Sequence, residues 1–371
     1  MADAEKLARE ILDTVGVTLG GDEPHDIVVH DDRFFDRVIA DRELGLGESY
    51  QDGWWDANAL DEFLTVMQTT DVRALVKPSL SMVALAAQAK VRNQQTKRKA
   101  TENARAHYDI GNDLYERMLD KRMIYTCGYW REANDLDTAQ EAKLDLICRK
   151  LELERGMRLL DIGCGWGGFA QFAAERYDVH VTGISPAAEQ VALARERTAS
   201  LPVHIEQIDY RDVTGTFDRI TSIGMMEHVG PKNLETLFRT CREVLAPDGM
   251  MLHHTIGSND WKTVGDPWFE KYIFPGGVLP SLGQIARAAE TDWSIEDVHN
   301  FGPDYDTTLM AWHDNISSRW HEIPHYDERF RRTWDYYLRA SAAGFRSRSL
   351  QLFQVVFTRS RQRRDVYRSI R

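Results

Sequence analysis

No stretch of about 18 consecutive apolar residues occurs in the chain, so nothing in it reads as a membrane-spanning helix. The opening residues, Met1-Ala2-Asp3-Ala4-Glu5-Lys6, lack the basic-then-apolar order of a secretory signal. Cysteine is scarce. Cys127, Cys148, Cys164 and Cys241 stand far apart, and no Cys-x-x-Cys pair is present. That spacing offers no structural zinc site and no disulfide framework, and a reducing cytoplasm is the expected compartment. Internal repeats and low-complexity tracts are also missing.

What is present is a chain of 371 residues, 43% of them hydrophobic, which suits one large domain or two modest ones. The net charge of -12 is unevenly placed: residues 1–89 hold 18 acidic and 7 basic side chains, and the rest is close to neutral. Two basic clusters stand out in that neutral part. One covers residues 90–105, with Lys97-Arg98-Lys99 at its centre; the other is the tail from Arg359 to Arg371. Each reads either as solvated surface or as a contact for phosphates, of nucleic acid or of anionic lipid.

The shift in composition near Lys90 marks a domain boundary, and three regions are expected: 1–89, 90–135 and 136–371. In the first, helices are predicted around Leu7, Leu12 and Val15, over 60–67 and over 75–89, with a short strand at 27–30. The apolar, alanine-rich segment 75–89 fits a core helix or a lipid-facing one equally well. From Leu136 onward, helices and strands alternate. Helices are predicted over 138–153, 169–177, 233–245 and 328–343, and another starts at Ser185-Pro186. Strands are predicted over 157–162, 179–184, 203–208, 219–223, 250–255 and 350–358. Such alternation predicts a Rossmann-like α/β domain, with helices on both faces of a parallel sheet, beside a smaller and mainly helical N-terminal domain.

Strand 157–162 runs into Gly163-Cys164-Gly165-Trp166-Gly167-Gly168. The Gly163-x-Gly165-x-x-Gly168 spacing fits a dinucleotide site, but a nicotinamide enzyme places an acid for the ribose about 20 residues on. Gly183-Ile184-Ser185 stands there instead. Asp161, just before the glycines, and Asp209, after the third strand, suit the methionine end and the adenine of S-adenosylmethionine. Read alone, Asp209 is equally an ordinary residue at the end of the third strand.

Several motifs accompany this loop. They are His107-Tyr108-Asp109-Ile110-Gly111-Asn112-Asp113, Tyr125-Thr126-Cys127-Gly128-Tyr129-Trp130, Glu227-His228-Val229-Gly230, His254-Thr255-Ile256-Gly257, Lys271-Tyr272-Ile273-Phe274-Pro275-Gly276-Gly277 and Asn300-Phe301-Gly302-Pro303-Asp304-Tyr305-Asp306. With them the chain resembles the cyclopropane-fatty-acid synthase family, which includes the mycolic acid cyclopropane synthases, over about residues 90–358. The resemblance implies class I S-adenosylmethionine-dependent methyl transfer. It implies cofactor contacts at Tyr125, Thr126, Gly163, Gly165, Ser185 and Gln190, and a bicarbonate ion held at Cys127, Glu227, His254, Ile256 and Tyr305. It implies an unsaturated phospholipid acyl chain as substrate, a cyclopropane ring as product, a homodimer, and peripheral contact with the inner face of the membrane.

The chemistry asks for such groups. When one alkene carbon takes the sulfonium methyl, S-adenosylhomocysteine leaves and the neighbouring carbon becomes a carbocation; ring closure then needs a base for a proton of the new methyl. A side-chain carboxylate could trap the cation as an ester, so a small held bicarbonate suits the task. Tyr305 and His254 would hydrogen-bond it, with backbone groups near Cys127 and Ile256. Glu227 would accept its proton or orient His254. Aromatic rings at Tyr125, Tyr129, Trp130 and Tyr272 are candidates to stabilise the cation. His253 and His254 are neighbours on a strand, so only one of them faces the site. Ser341 occupies a helix position where some readings of the family place a nucleophilic cysteine, and it is given no catalytic role.

Four other readings compete, of which a non-catalytic lipid-binding protein is the weakest because the site motifs are complete. Methyl transfer without ring closure would give a methyl-branched or methylene chain. A nucleic-acid methyltransferase is opposed by the overall acidity and by Ile223-Gly224-Met225-Met226-Glu227 where a target-base motif would stand. An oxidoreductase lacks its ribose acid.

Overall fold

The computed structural model describes residues 2–70, 110–362 and 364–371. The predicted helix over 75–89, the basic segment 90–105 and the His107-Tyr108-Asp109 part of the first motif lie outside them. The described chain forms two compact units. Among the described residues, no helix is long and apolar enough to cross a membrane.

The first unit combines residues 1–92 with 264–275 and 305–350. Its N-terminal part holds helices Ala2–Val15, Arg33–Gln51 and Leu60–Thr69, with strands β1 (Ile27–Val29) and β2 (Trp55–Ala57) paired antiparallel. Trp55 is fully buried at its centre, with the rings of Phe34, Tyr50 and Phe63 between 5.2 and 5.9 Å away. The helix Glu328–Arg346 answers the acidity of this segment. Arg329 meets Asp52 at 3.0 Å and Arg332 meets Asp56 at 2.7 Å. Arg346 reaches Asp61 at 2.7 Å, Glu62 at 2.8 Å and Asp306 at 3.0 Å. Part of the charge asymmetry of the sequence is therefore offset by arginines that lie 276 to 285 residues further along the chain.

The second unit holds the sheet: β3 (Arg158–Ile162), β4 (His180–Ile184), β5 (Val203–Glu206), β6 (Phe217–Ile223), β7 (Leu245–Ser258), β8 (Trp293–Asn300) and β9 (Leu350–Arg359), in the order β5-β4-β3-β6-β7-β9-β8. Strands β3 to β7 pair in parallel, and β8 pairs antiparallel with β9. Both faces are covered. Leu159 packs in one apolar cluster with Leu144, Ile147 and Phe169, and the next residue, Leu160, packs in another with Leu237, Phe238 and Ile220. A doubly covered strand must be apolar at consecutive positions, as Leu159-Leu160 is. β3 lies between β4 and β6, so successive crossovers leave it in opposite directions. The carboxyl ends of β3 and β6 are therefore the place where such folds bind ligands.

The Rossmann-like class is as predicted, with three local corrections. The helix expected at Ser185-Pro186 is Ala188–Arg197, because the Ser185 hydroxyl accepts the Ala187 N–H at 3.2 Å and closes a turn first. The last long helix does not stop at Gly344 but runs to Arg346; a Cβ at Gly344 would come within 2.7 Å of the Leu350 side chain, so this glycine serves packing. The third strand ends at Glu206, which leaves Asp209 in the following loop.

Candidate active site

The glycine loop leaves β3 with Gly163, Gly165 and Gly167 at φ +83°, +53° and +80°, a conformation that side chains other than glycine rarely adopt. The Gly163 and Cys164 amides donate to the Ile184 carbonyl at 2.9 and 3.1 Å, which ties the loop to β4. Space is open where a Gly165 Cβ would stand. Asp161, 1% exposed, has a carboxylate oxygen with no hydrogen-bond partner. Burial raises its pKa, and the buried ammonium of Lys143 opposes the rise. An orphaned carboxylate beside an open glycine turn fits S-adenosylmethionine, whose ammonium would complete Asp161. Ser185 donates to the Gln190 side-chain oxygen at 3.3 Å, just beyond β4. Asp209 caps the turn Tyr210–Asp212, accepting the Arg211 N–H at 3.0 Å, so one of its oxygens already has a structural task.

The Tyr125-Thr126-Cys127 segment is held from beneath by the helix Leu136–Lys150. Gln140 donates to the Thr126 carbonyl at 2.7 Å, and Lys143 to the Thr126 hydroxyl at 2.8 Å. The Thr126 methyl lies 2.6 Å from where a Gly224 Cβ would be, and a Gly163 Cβ would lie 3.0 Å from Met225. The cofactor loop, the Tyr125–Cys127 segment and the end of β6 thus meet at Gly224-Met225. Both glycines have positive φ, so alanine would add strain to a clash.

Glu227 follows at once, on the short helix Met226–Val229. It is no surface residue, being 7% exposed. One carboxylate oxygen accepts the Ile256 N–H at 2.6 Å; the other is buried without a partner. Burial pushes its pKa up to about 7. The Ile256 amide expected to face an anion directly is therefore held by Glu227. Glu227 does not orient His254 either. That contact belongs to Gln354 on β9, whose side-chain nitrogen is 3.2 Å from His254 Nδ1. The sequence reading missed Gln354; only its place in an otherwise apolar buried strand, Phe353-Gln354-Val355-Val356, marked it.

β7 carries His253 and His254 with opposite facings. His253 sits between the rings of Phe238 and Phe357, at 5.4 and 5.8 Å, and neither ring nitrogen has a partner. His254 faces the Phe301 ring at 5.8 Å, and Phe301 touches Tyr129 at 5.3 Å. Burial, with the charges of Lys143, Lys150 and His299, holds His254 well below its ordinary pKa, so it is neutral. Its Nε2 is buried without a partner. Since His253 buries polar nitrogens unpaired, His253→Leu is expected to keep full activity and to raise stability by about 1 kcal/mol. Urea unfolding beside an activity assay checks this; loss of activity would mean that the facing has been misassigned.

Cys127 is fully buried, with its thiol 3.1 Å from the Gly128 carbonyl. Tyr305 belongs to the first unit, on the helix Pro303–Arg319, where its ring meets Phe345 at 4.6 Å. Ser341 and Tyr272 are in that unit too. Tyr272 donates to Glu48 at 2.9 Å and Lys271 meets the same carboxylate at 2.5 Å, so this motif anchors a buried glutamate. In the tail, Arg359 donates to the Arg242 and Leu245 carbonyls, Arg364 pairs with Glu152 at 2.9 Å, and Arg371 with Asp297 at 2.6 Å. These three cations of the second basic cluster are engaged on the protein itself.

The model of the mycolic acid cyclopropane synthetase family matches residues 95–355. The cyclopropane-fatty-acyl-phospholipid synthase of Escherichia coli K12 is 48% identical over 355 residues, covering 95% of this chain and 93% of its own. Tuberculostearic acid methyltransferase of Mycobacterium tuberculosis is 32% identical, covering 84% of this chain and 78% of its own. The crystal structure of a mycolic acid cyclopropane synthase complexed with SAH and CTAB is similar with a TM-score of 0.65 and 30% identity, over 69% of this chain and 97% of that one.

Proposed function

The chain belongs to the mycolic acid cyclopropane synthetase family of S-adenosylmethionine-dependent methyltransferases, and from that premise we propose that it builds a cyclopropane ring on the cis double bond of an unsaturated phospholipid acyl chain. The observation that carries this reading is the 48% identity, over nearly the whole chain, to a cyclopropane-fatty-acyl-phospholipid synthase.

S-adenosylmethionine, when bound, supplies an electrophilic methyl group. The chain's own part begins with Asp161, whose unpartnered oxygen receives the cofactor's ammonium, and with the open turn at Gly165, which lets the backbone approach. Ser185 and Gln190, linked to each other, and Asp209 complete the cofactor contacts in this proposal.

Ring closure requires a proton to leave the methylated chain. We assign this step to a bicarbonate ion, and the residues fit one. His254 lies in the field of two buried cations, Lys143 and Lys150, which favours an anion beside it. His254 Nε2 and one Glu227 oxygen are both buried and await partners. Glu227, with its pKa near neutrality, can take or give a proton at working pH. Cys127, Ile256 and Tyr305 remain in the proposed set, Ile256 acting through Glu227. Tyr129 and Phe301 form an aromatic wall beside His254 that suits a cationic substrate.

The proposal includes reversible contact with the inner membrane face and a two-copy assembly. Bilayer contact is assigned to the basic segment 90–105, since three tail arginines already have partners on the protein.

Expression in a host without this activity, followed by fatty-acid analysis, tests the function. Chains one CH2 heavier that take up no hydrogen under mild catalytic hydrogenation support ring formation. Methyl-branched or methylene chains would favour the alternative that the similarity to tuberculostearic acid methyltransferase keeps in view. Unchanged lipids would overturn both.

A further inference from the structure

We propose that Lys143 is a positioning residue for cofactor binding: its buried ammonium pins Thr126 and stands as the buried counter-charge to the unpartnered Asp161 carboxylate at the cofactor's methionine end. This rests on the reading that Asp161 faces the cofactor.

Lysine is almost never fully buried unless it has a task. Lys143 is wholly buried, and its ammonium donates to the Thr126 hydroxyl at 2.8 Å. Gln140, three residues earlier on the same helix, donates to the carbonyl of the same threonine at 2.7 Å. Residues three apart share a helix face, so one face grips Thr126 by both its side chain and its backbone. The Thr126 methyl in turn packs against Gly224. A shift at Thr126 would therefore carry Tyr125 and Cys127 with it.

The second role is electrostatic. Asp120, Cys127 and Asp161 lie in the field of Lys143, and His254 feels it too. The thiols of Cys148 and Cys164 feel the charge of Asp161 and are neutral, chiefly because burial raises both. Burial favours the protonated form of Asp161, and Lys143 is the charge that opposes it. With Lys143 in place burial still pushes the Asp161 carboxyl up to about 7, so removing the lysine shifts it further towards the protonated form and weakens its attraction for an ammonium group. The lysine is thus coupled to the cofactor through Asp161 and needs no contact with it.

Calorimetric titration with S-adenosylhomocysteine across neutral pH tests this, using Lys143→Met, Lys143→Arg, Asp161→Asn and the Lys143→Met/Asp161→Asn pair. Lys143→Met is expected to weaken binding about tenfold at neutral pH, with the loss shrinking as pH rises and Asp161 ionises unaided. Lys143→Arg keeps the charge and recovers part of the affinity. The double variant loses less than the sum of the two single losses, because the electrostatic share of Lys143 acts through the carboxylate while its hold on Thr126 does not. A loss by the same factor at every pH, or full additivity in the double variant, would overturn the electrostatic role. If Asp161→Asn binds as the natural protein does, the reading of Asp161 fails first and the proposal falls with it, a result distinct from the other two. Should Lys143→Met not fold, Lys143→Gln compared with Lys143→Arg carries the same test.

Discussion

Glu227→Gln is expected to lower turnover by about 10²–10⁴-fold while leaving S-adenosylhomocysteine binding intact. The glutamine carbonyl can still accept the Ile256 N–H, so the 2.6 Å contact and the backbone around it persist. What disappears is a group that exchanges protons near neutrality. The same variant should be more stable than the natural protein above neutral pH. Burial raises the Glu227 carboxyl from 4.5 to about 7, so between those values the folded state binds a proton that the unfolded chain does not. Stability therefore falls as pH rises through this window and stays low beyond it. Glutamine removes that fall, a gain of roughly 2–3 kcal/mol at most. Denaturant unfolding at pH values on either side of 7 measures it. Equal stability of the two proteins at high pH would show that Glu227 is not buried as an anion there, and retained activity would remove it from the proton path.

His254→Ala should also lose about 10²–10⁴-fold in turnover, but it leaves a cavity as well and is ambiguous by itself. Gln354→Glu is the cleaner companion. With the Gln354 amide as assigned, its nitrogen donates to Nδ1, so the neutral ring carries its hydrogen on Nε2, as a donor towards an anion. A carboxylate at position 354 would accept from Nδ1 instead and turn Nε2 into an acceptor. Turnover is expected to fall on the order of 100-fold with little change in cofactor affinity. A fully active Gln354→Glu would mean that the tautomer of His254 does not matter.

Much of this site was legible because its parts are contiguous in sequence. Asp161 and the glycines follow directly on an apolar strand, and Glu227 follows directly on β6. Strand alternation also separated His253 from His254. What was not legible depends on pairing between distant segments. Nothing local connects Gln354 with His254, 100 residues away. Nothing in the pattern at Lys143 distinguishes a buried ammonium from a solvated one until Thr126 and Asp161 are placed around it. Periodicity also failed at the helix Arg33–Gln51, which contains Gly45 and Gly47 and leaves helical geometry at Arg42. Gly47 is there for packing, since a Cβ would come within 2.4 Å of the Trp268 indole. The segment 265–327 carried no strong helix or strand signal, although it forms three helices and β8.

The three-piece make-up of the first unit governs the order in which the protein can mature. Translation releases the helices Arg33–Gln51 and Leu60–Thr69 early, but the arginines that neutralise them emerge only with the helix Glu328–Arg346. Until then Asp52, Asp56 and Asp61 lack the arginines that pair with them in the folded unit. The N-terminal segment is thus among the last to reach its native form. A chain cut anywhere before residue 328 forfeits a unit whose first residue is residue 1.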